Sequence, residues 1–333
     1  MKEFRMKNPS MRLPILASCA VVATVSASIA QAAAPPAQIV IPGERLFTES
    51  LTSTQDGSVI IGSVGGRTIF RAKPGSAAAE AWIQPGTNGL ASVFGVFADD
   101  KANTLWACSG TPAFGPPQAG APPPAPSALF AFDLKSGEAK GKWALPTTGG
   151  FCNDIAIGAD GTAYATDTSN MQVVRLKKGA TALEIWSDGG FGPKGGVLDG
   201  IAVLGNSVLV NALATSKIFS VPIEKDGHAG SVTEVKLDRA IERPDGMRSF
   251  GKSSLLVVEG GGGGRLSKVQ IKGDAGKVTT IKEGYPDGPV AVTVVGKTAY
   301  VLEGQLGAMR GPPGAAPAPG KPFRASAVEV GRP

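Results

Sequence analysis

Histidine is nearly missing from this chain: His228 is the only one in 333 residues. It lies in Asp226-Gly227-His228-Ala229-Gly230, which reads as a solvated turn. A single imidazole counts against a Ser-His-Asp triad and against zinc sites built on histidine. Cysteine is scarce as well, with three residues, Cys19, Cys108 and Cys152. A concentrated positive charge is also missing. The formal charge is +6, yet no basic cluster appears beyond the N-terminal segment, so there is no electrostatic footprint for nucleic acid. Helical periodicity is almost absent beyond the N-terminal segment.

Long hydrophobic runs are missing too, with one exception. Leu13 to Ile29 is apolar, follows the basic residues Lys2, Arg5, Lys7 and Arg12, and precedes Ala30-Gln31-Ala32. This pattern reads as a secretory signal peptide over residues 1–32, not a membrane anchor. Leu16-Ala17-Ser18-Cys19 offers a competing lipoprotein box, but most of the apolar run follows Cys19, where such a protein would already be cut. The expectation is a periplasmic or secreted protein of about 300 residues with no stable membrane anchor. Removing the leader lowers the charge from +6 to +3. Cys108 and Cys152 remain. An oxidising compartment permits a disulfide between them, and the sequence leaves open whether they are bonded or are two inert thiols.

What the chain has in quantity is glycine, 46 residues, and proline, 26. Apolar runs of four to seven residues are split by Gly, Asn and Asp. Asp56-Gly57 and Asp160-Gly161 read as hairpin turns. This is all-β patterning. Six segments align on the residue preceding a short apolar strand: Thr48-Glu49-Ser50-Leu51, Val93-Phe94-Gly95-Val96, Cys152-Asn153-Asp154-Ile155, Leu198-Asp199-Gly200-Ile201, Pro244-Asp245-Gly246-Met247 and Pro286-Asp287-Gly288-Pro289. Their second residues are 45, 59, 46, 46 and 42 apart, which is the spacing of propeller blades. The long interval holds a Pro-rich loop, Gly110 to Ser127. A second such loop, Gly307 to Pro322, falls in the sixth repeat, and both would overhang one face as a rim or as inert surface.

The expectation is a six-bladed β-propeller over residues 33–333. The sixth repeat runs out of chain after Phe323 to Val330, so Gln38 to Ile41 would supply its outer strand and close the ring. Thr233 to Leu237 reads as the outer strand of the fourth repeat. The second-place residues would then ring one end of the channel: Glu49, Phe94, Asn153, Asp199, Asp245 and Asp287. By strand alternation Asn153 and Ile155 would face the channel, while Asp154 and Ala156 point away.

Carboxylates and an amide crowded at one channel end are costly without a cation. All-oxygen donors favour a hard ion, and flexible coordination favours Ca²⁺. Pro-Asp-Gly is also ordinary turn chemistry, which leaves Asp287 the weakest member, and Phe94 cannot ligate. Gly246 to Ser253 matches a phosphate-binding loop in letters. A β run, Leu255 to Glu259, follows it where that motif needs a helix, so the match carries no nucleotide site. The five glycines Gly260 to Gly264 read as a flexible loop.

The ordered ring resembles that of the gluconolactonase family, which includes regucalcin, and more distantly that of the paraoxonases. The resemblance implies a six-bladed propeller with a divalent metal, usually Ca²⁺, in its channel. It makes Glu49 similar to the blade-one ligand and Asp245, in Pro-Asp-Gly-Met, similar to the late ligand and proposed base. Asp199 stands where the family commonly has Asn, and Asn153 resembles the residue that binds metal or substrate. The metal set implied is Glu49, Asn153, Asp199 and Asp245, with Asp245 catalytic and Asn153 touching substrate. The paraoxonase histidine base has no counterpart. Their second calcium uses a carboxylate where this chain has Ser50, and Asp154 alone would not hold that ion. The functional expectation is a Ca²⁺-dependent lactone hydrolase acting on a small molecule such as a sugar lactone. The alternative is a non-catalytic propeller that binds a ligand or partner through its loop-rich face. A metal-free enzyme like the strictosidine synthases ranks third.

Overall fold

The computed structural model describes residues 1–4, 35–111, 124–309 and 321–333. The leader reading and most of both Pro-rich stretches lie outside the described residues. The described residues from 35 onward belong to one compact unit. Among the described residues no helix is long and apolar enough to cross a membrane.

The strands fall into six sheets. Blade one runs from the channel outward through Thr48–Ser53, Val59–Ser63, Ile69–Ala72 and Glu80–Ile83. Blade two is Ser92–Asp99, Thr104–Gly110, Ala128–Asp133 and Ala139–Ala144, and blade three Cys152–Ile157, Ala163–Asp167, Gln172–Leu176 and Glu184–Asp188. Blade four is Leu198–Leu204, Ser207–Ala212, Lys217–Pro222 and Thr233–Glu234. Blade five is Pro244–Phe250, Ser254–Glu259, Arg265–Lys272 and Ala275–Glu283. Blade six is Pro289–Val295, Thr298–Glu303 and Phe323–Glu329, completed by Gln38–Ile41. That last strand pairs antiparallel with Phe323–Glu329, Ile41 opposite Phe323, so the ring closes with the N-terminal strand as expected.

One outer strand departs from the reading. Thr233 to Leu237 is broken in two. Thr233–Glu234 pairs with blade four, while Lys236–Leu237 crosses to blade five and pairs parallel with Ala275–Glu283. Val235 between them is buried under both blades at 2% exposure, and burying it accounts for the switch.

The hairpin turns follow from residue chemistry. Gly161 takes φ 86° and its N–H donates to Gly158 O at 2.9 Å, while Asp160 Oδ1 accepts the Thr162 N–H at 2.9 Å. The apolar runs are buried on both faces because each sheet is covered by its neighbours. One cluster joins Ile60, Ile69 and Ile83 of blade one to Val93, Leu105 and Phe130 of blade two. Others join blades three and four through Tyr164, Phe191 and Ile201, and blades five and six through Leu256, Val258 and Val301. Each such fully buried side chain contributes about 1.5–3 kcal/mol. Cys108, on the second strand of blade two, is bonded to Cys152, on the first strand of blade three, across a Cα separation of 5.2 Å. The pairing that the sequence left open is therefore made, and it ties two blades together directly behind Asn153.

Candidate metal centre

Every blade carries an irregularity at the same place. The register between the first and second strands slips between Thr48 and Ser50, Val93 and Val96, Cys152 and Ile155, Leu198 and Ile201, Pro244 and Met247, and Pro289 and Ala291. In each case the inner strand holds one residue more than its partner, a β-bulge. The extra residue falls at Glu49, Phe94, Asn153, Asp199, Asp245 and Val290. Bulges re-aim side chains, and here they turn one residue per blade toward a common point.

Blade six corrects the sequence reading. Its ring position is Val290, not Asp287. Asp287 sits in a turn before the strand, ion-paired with Lys321 at 2.6 Å and Arg324 at 3.4 Å. The distance from Asp245 to Val290 is 45 residues, matching the other blades, against 42 to Asp287.

Close packing behind the bulges keeps the ring tight. A Cβ on Gly200 would stand 2.5 Å from the Asp245 carbonyl, and one on Gly246 would stand 2.7 Å from the Val290 carbonyl. Asn211 Nδ2 donates to Asp245 O at 2.5 Å and Thr166 Oγ1 to Asp199 O at 2.8 Å. Asp199 and Asp245 are thus each anchored by their backbone to the preceding blade.

The result is one group of carboxylates. Glu49, Asp199 and Asp245 each place an oxygen within 4.8 Å of the other two. Asp199 is 6% exposed, and Glu49 and Asp245 are partly buried. Asn153, 5% exposed, lies beside Asp199, where its amide favours the charged carboxylate, and so joins the group. Phe94 closes its side of the ring edge-on against Phe151, with ring centroids 4.6 Å apart.

Electrostatics follow. Burial raises all three carboxyls well above their ordinary range. Repulsion adds to this: Asp199 and Asp154 act on Glu49, Asp245 and Asp154 on Asp199, and Glu49 and Asp154 on Asp245. Opposing it are the Asn153 amide beside Asp199, the Gly246 N–H on Asp245 at 2.9 Å, and the fields of Arg248 on Glu49 and Arg243 on Asp245. Three mutually repelling oxygen donors, one buried and two partly buried, and an amide, with no histidine or cysteine among them, fit a hard divalent cation.

The bulge also overturns the alternation expected in blade three. Asp154 faces the channel side, where its Oδ2 pairs with Arg248 Nη1 at 2.8 Å and accepts the Ile201 N–H at 3.3 Å. Ile155 instead enters the apolar cluster with Phe94, Cys152 and Ala163. Arg248 is a participant that sequence reasoning missed. It sits three residues after Asp245 in what reads as an ordinary strand, and nothing in its spacing distinguishes it from a surface arginine.

The remaining motifs settle as bland features. Gly246 to Ser253 spans the inner strand and hairpin of blade five, with strand on both sides. His228 is exposed and its Nδ1 lies 3.0 Å from Asp226 Oδ2. The glycine run forms the loop joining Ser254–Glu259 to Arg265–Lys272.

The chain matches no protein-family model and no curated protein. Its structure does have counterparts. A gluconolactonase from Xanthomonas campestris aligns with TM-score 0.59 at 13% identity, covering 85% of this chain and 86% of that one. The chain has the propeller fold of gluconolactonase and regucalcin. Regucalcin from Agrobacterium tumefaciens, described as a calcium-binding protein, aligns with TM-score 0.55 at 12% identity over 88% of this chain and 97% of its own. A histidine-to-alanine, catalytically inactive virginiamycin B lyase from Staphylococcus aureus aligns with TM-score 0.57 at 14% identity over 86% and 82%. At such identities the likeness establishes the fold.

Proposed function

We propose that this chain is a secreted, calcium-dependent lactone hydrolase acting on a small-molecule ester. The observation that carries the reading is the convergence of Glu49, Asp199 and Asp245 oxygens within 4.8 Å at the ring of bulges. Such a group is stable in its charged form only with a cation among its oxygens. Calcium suits it best, since oxygen donors on four separate blades form a flexible set rather than a strict octahedron.

A bound divalent ion would polarise the lactone carbonyl and favour the tetrahedral oxyanion. The chain's own residues divide the remaining work. Glu49 and Asp199 hold the ion. Asp245 contributes to it and, with Oδ1 accepting the Gly246 N–H, is fixed in place to take a proton from the attacking water. Asn153, beside Asp199, presents its amide to metal or substrate.

The leader reading supports export, and the Cys108–Cys152 bond is consistent with an oxidising compartment. A lyase of the virginiamycin type is disfavoured by the placement of His228. Loss of a histidine inactivates that enzyme, whereas the one histidine here is an exposed turn residue.

The test is hydrolysis of a panel of sugar and aliphatic lactones by the purified protein, with calcium and with chelator. Turnover that vanishes with chelator and in Asp245→Ala supports the reading. Calcium binding with no turnover across the panel replaces it with the non-catalytic binding propeller. Turnover indifferent to chelator points to a metal-free enzyme.

A further inference from the structure

The guanidinium of Arg248 lies at the meeting point of four inner strands. Nη1 donates to Asp154 Oδ2 of blade three at 2.8 Å and to Met247 O of its own blade at 2.8 Å. Nη2 donates to Val96 O of blade two at 3.1 Å and, at 3.5 Å, to Leu51 O of blade one. Its Cζ lies 5.7 Å from the centre of the Phe97 ring. The side chains of Arg248 and Asp154 are 11% and 7% exposed. The innermost strand of a blade has a sheet partner on one side only, so carbonyls on its free edge point into the channel without a ladder bond. Arg248 gathers those carbonyls.

The acceptors form a recognisable set: backbone carbonyl oxygens from three blades and one buried carboxylate. This is the donor chemistry a hard cation takes, namely all oxygen, one formal negative charge and a shell drawn from separate strands. The second carboxylate oxygen, Asp154 Oδ1, is buried and has no hydrogen-bond partner among the described residues. One further acceptor is therefore present beyond those the guanidinium uses.

We propose that Arg248 is a built-in cation for the floor of the channel, filling with a side chain a site whose oxygens would otherwise bind a metal ion. The planar fork suits the role, since four of its five N–H groups are directed at oxygens of four blades. The consequence is a division of labour. The cluster of Glu49, Asp199 and Asp245 depends on an exchangeable ion, whereas the junction of the inner strands beneath it does not. Chelator would strip the upper site and leave the propeller closed. Arg248 acts here as a positioning residue, because it holds Asp154, the neighbour of Asn153, without touching the reacting atoms.

This inference goes beyond the lactonase reading and is tested apart from it, in a Glu49→Ala background that silences the upper group. Calcium is titrated into Glu49→Ala, Glu49→Ala/Arg248→Ala and Glu49→Ala/Arg248→Ala/Asp154→Asn, and each is melted with and without calcium. The expected result is one new calcium site in the double variant, with a Kd on the order of 10⁻⁴–10⁻³ M as for a site with a single carboxylate. Its Tm should rise by several degrees in about 10 mM calcium by mass action. Both effects should be lost in the triple variant. A double variant that folds only when calcium is supplied is the same result in stronger form. A double variant that folds without gaining calcium, or that is equally unfolded with and without it, overturns the proposal. Because the gain is read against Glu49→Ala, it stands or falls whether or not the wild-type upper site binds calcium.

Discussion

A Cβ placed on Gly200 would stand 2.5 Å from the carbonyl oxygen of Asp245, too close for any real side chain. The two residues flank the centre of the candidate site: Gly200 follows Asp199 directly, and Asp245 is the next blade's contribution. The φ of Gly200 is not in the left-handed region, so space and not torsion requires glycine here. The prediction is that Gly200→Ala pushes blades four and five apart, lowers stability by about 2 kcal/mol or more, and weakens calcium binding. A variant with unchanged stability and unchanged calcium affinity would show that the contact does not set the spacing of Asp199 and Asp245.

The pH dependence follows from the same group. A buried carboxyl whose folded pKa lies above its unfolded value contributes stability below the unfolded value and loses it as pH rises through the folded one. Asp199 is such a group, raised by burial, then by Asp245 and Asp154. In chelator, therefore, Asp199→Asn should gain on the wild type as pH rises from about 4 toward 8. By neutral pH it should be the more stable by about 1 kcal/mol, or roughly 2–4 °C for a chain of this size. In calcium the order should reverse, since the amide is the poorer ligand. Melting curves of both proteins across that range, in each medium, decide it. A difference that does not change with pH in chelator contradicts the account.

Asp287 gives a control from the same sequence pattern. Its Pro-Asp-Gly letters match those around Asp245, yet it bonds Lys321 and Arg324 in a turn. Asp287→Ala should leave calcium affinity within about twofold of wild type and cost about 1 kcal/mol, because the cations it leaves unpaired, Lys321 and Arg324, keep their access to solvent. Calorimetry on this variant beside Asp245→Ala separates the two readings, because a comparable loss of affinity would return Asp287 to the ring.

The disulfide carries a stability prediction. It closes a span of 44 residues between neighbouring blades, and cross-links of that length are worth about 2–4 kcal/mol. Cys108→Ser/Cys152→Ser should melt correspondingly earlier. Because Cys152 adjoins Asn153, calcium affinity should fall with it. An unchanged melting temperature in the double variant would show that packing alone holds blades two and three in register.

Much of this was legible in the sequence because a propeller repeats. The period placed Glu49, Asn153, Asp199 and Asp245 at equivalent points, and Gln38–Ile41 was recognisable as the strand that the last blade lacked. Three features were not legible. In blade six the local Pro-Asp-Gly resemblance outweighed the period, and the true position is occupied by Val290, which carries no chemical signal. In blade three the expected alternation failed, because a bulge inserts one residue and reverses the phase beyond it. Asp154 therefore meets Arg248, a pairing between residues 94 positions apart that no local pattern encodes. The break in Thr233 to Leu237 is similar, since it depends on the neighbouring blade's outer strand.

The most direct test of the central claim is a calorimetric calcium titration of the purified protein, beside Glu49→Ala and Asp245→Ala. The account predicts one ion bound by the wild type and binding lost in both variants. A wild type that binds no calcium would leave the propeller intact and remove the metal site, and with it the hydrolase mechanism built on Asp245.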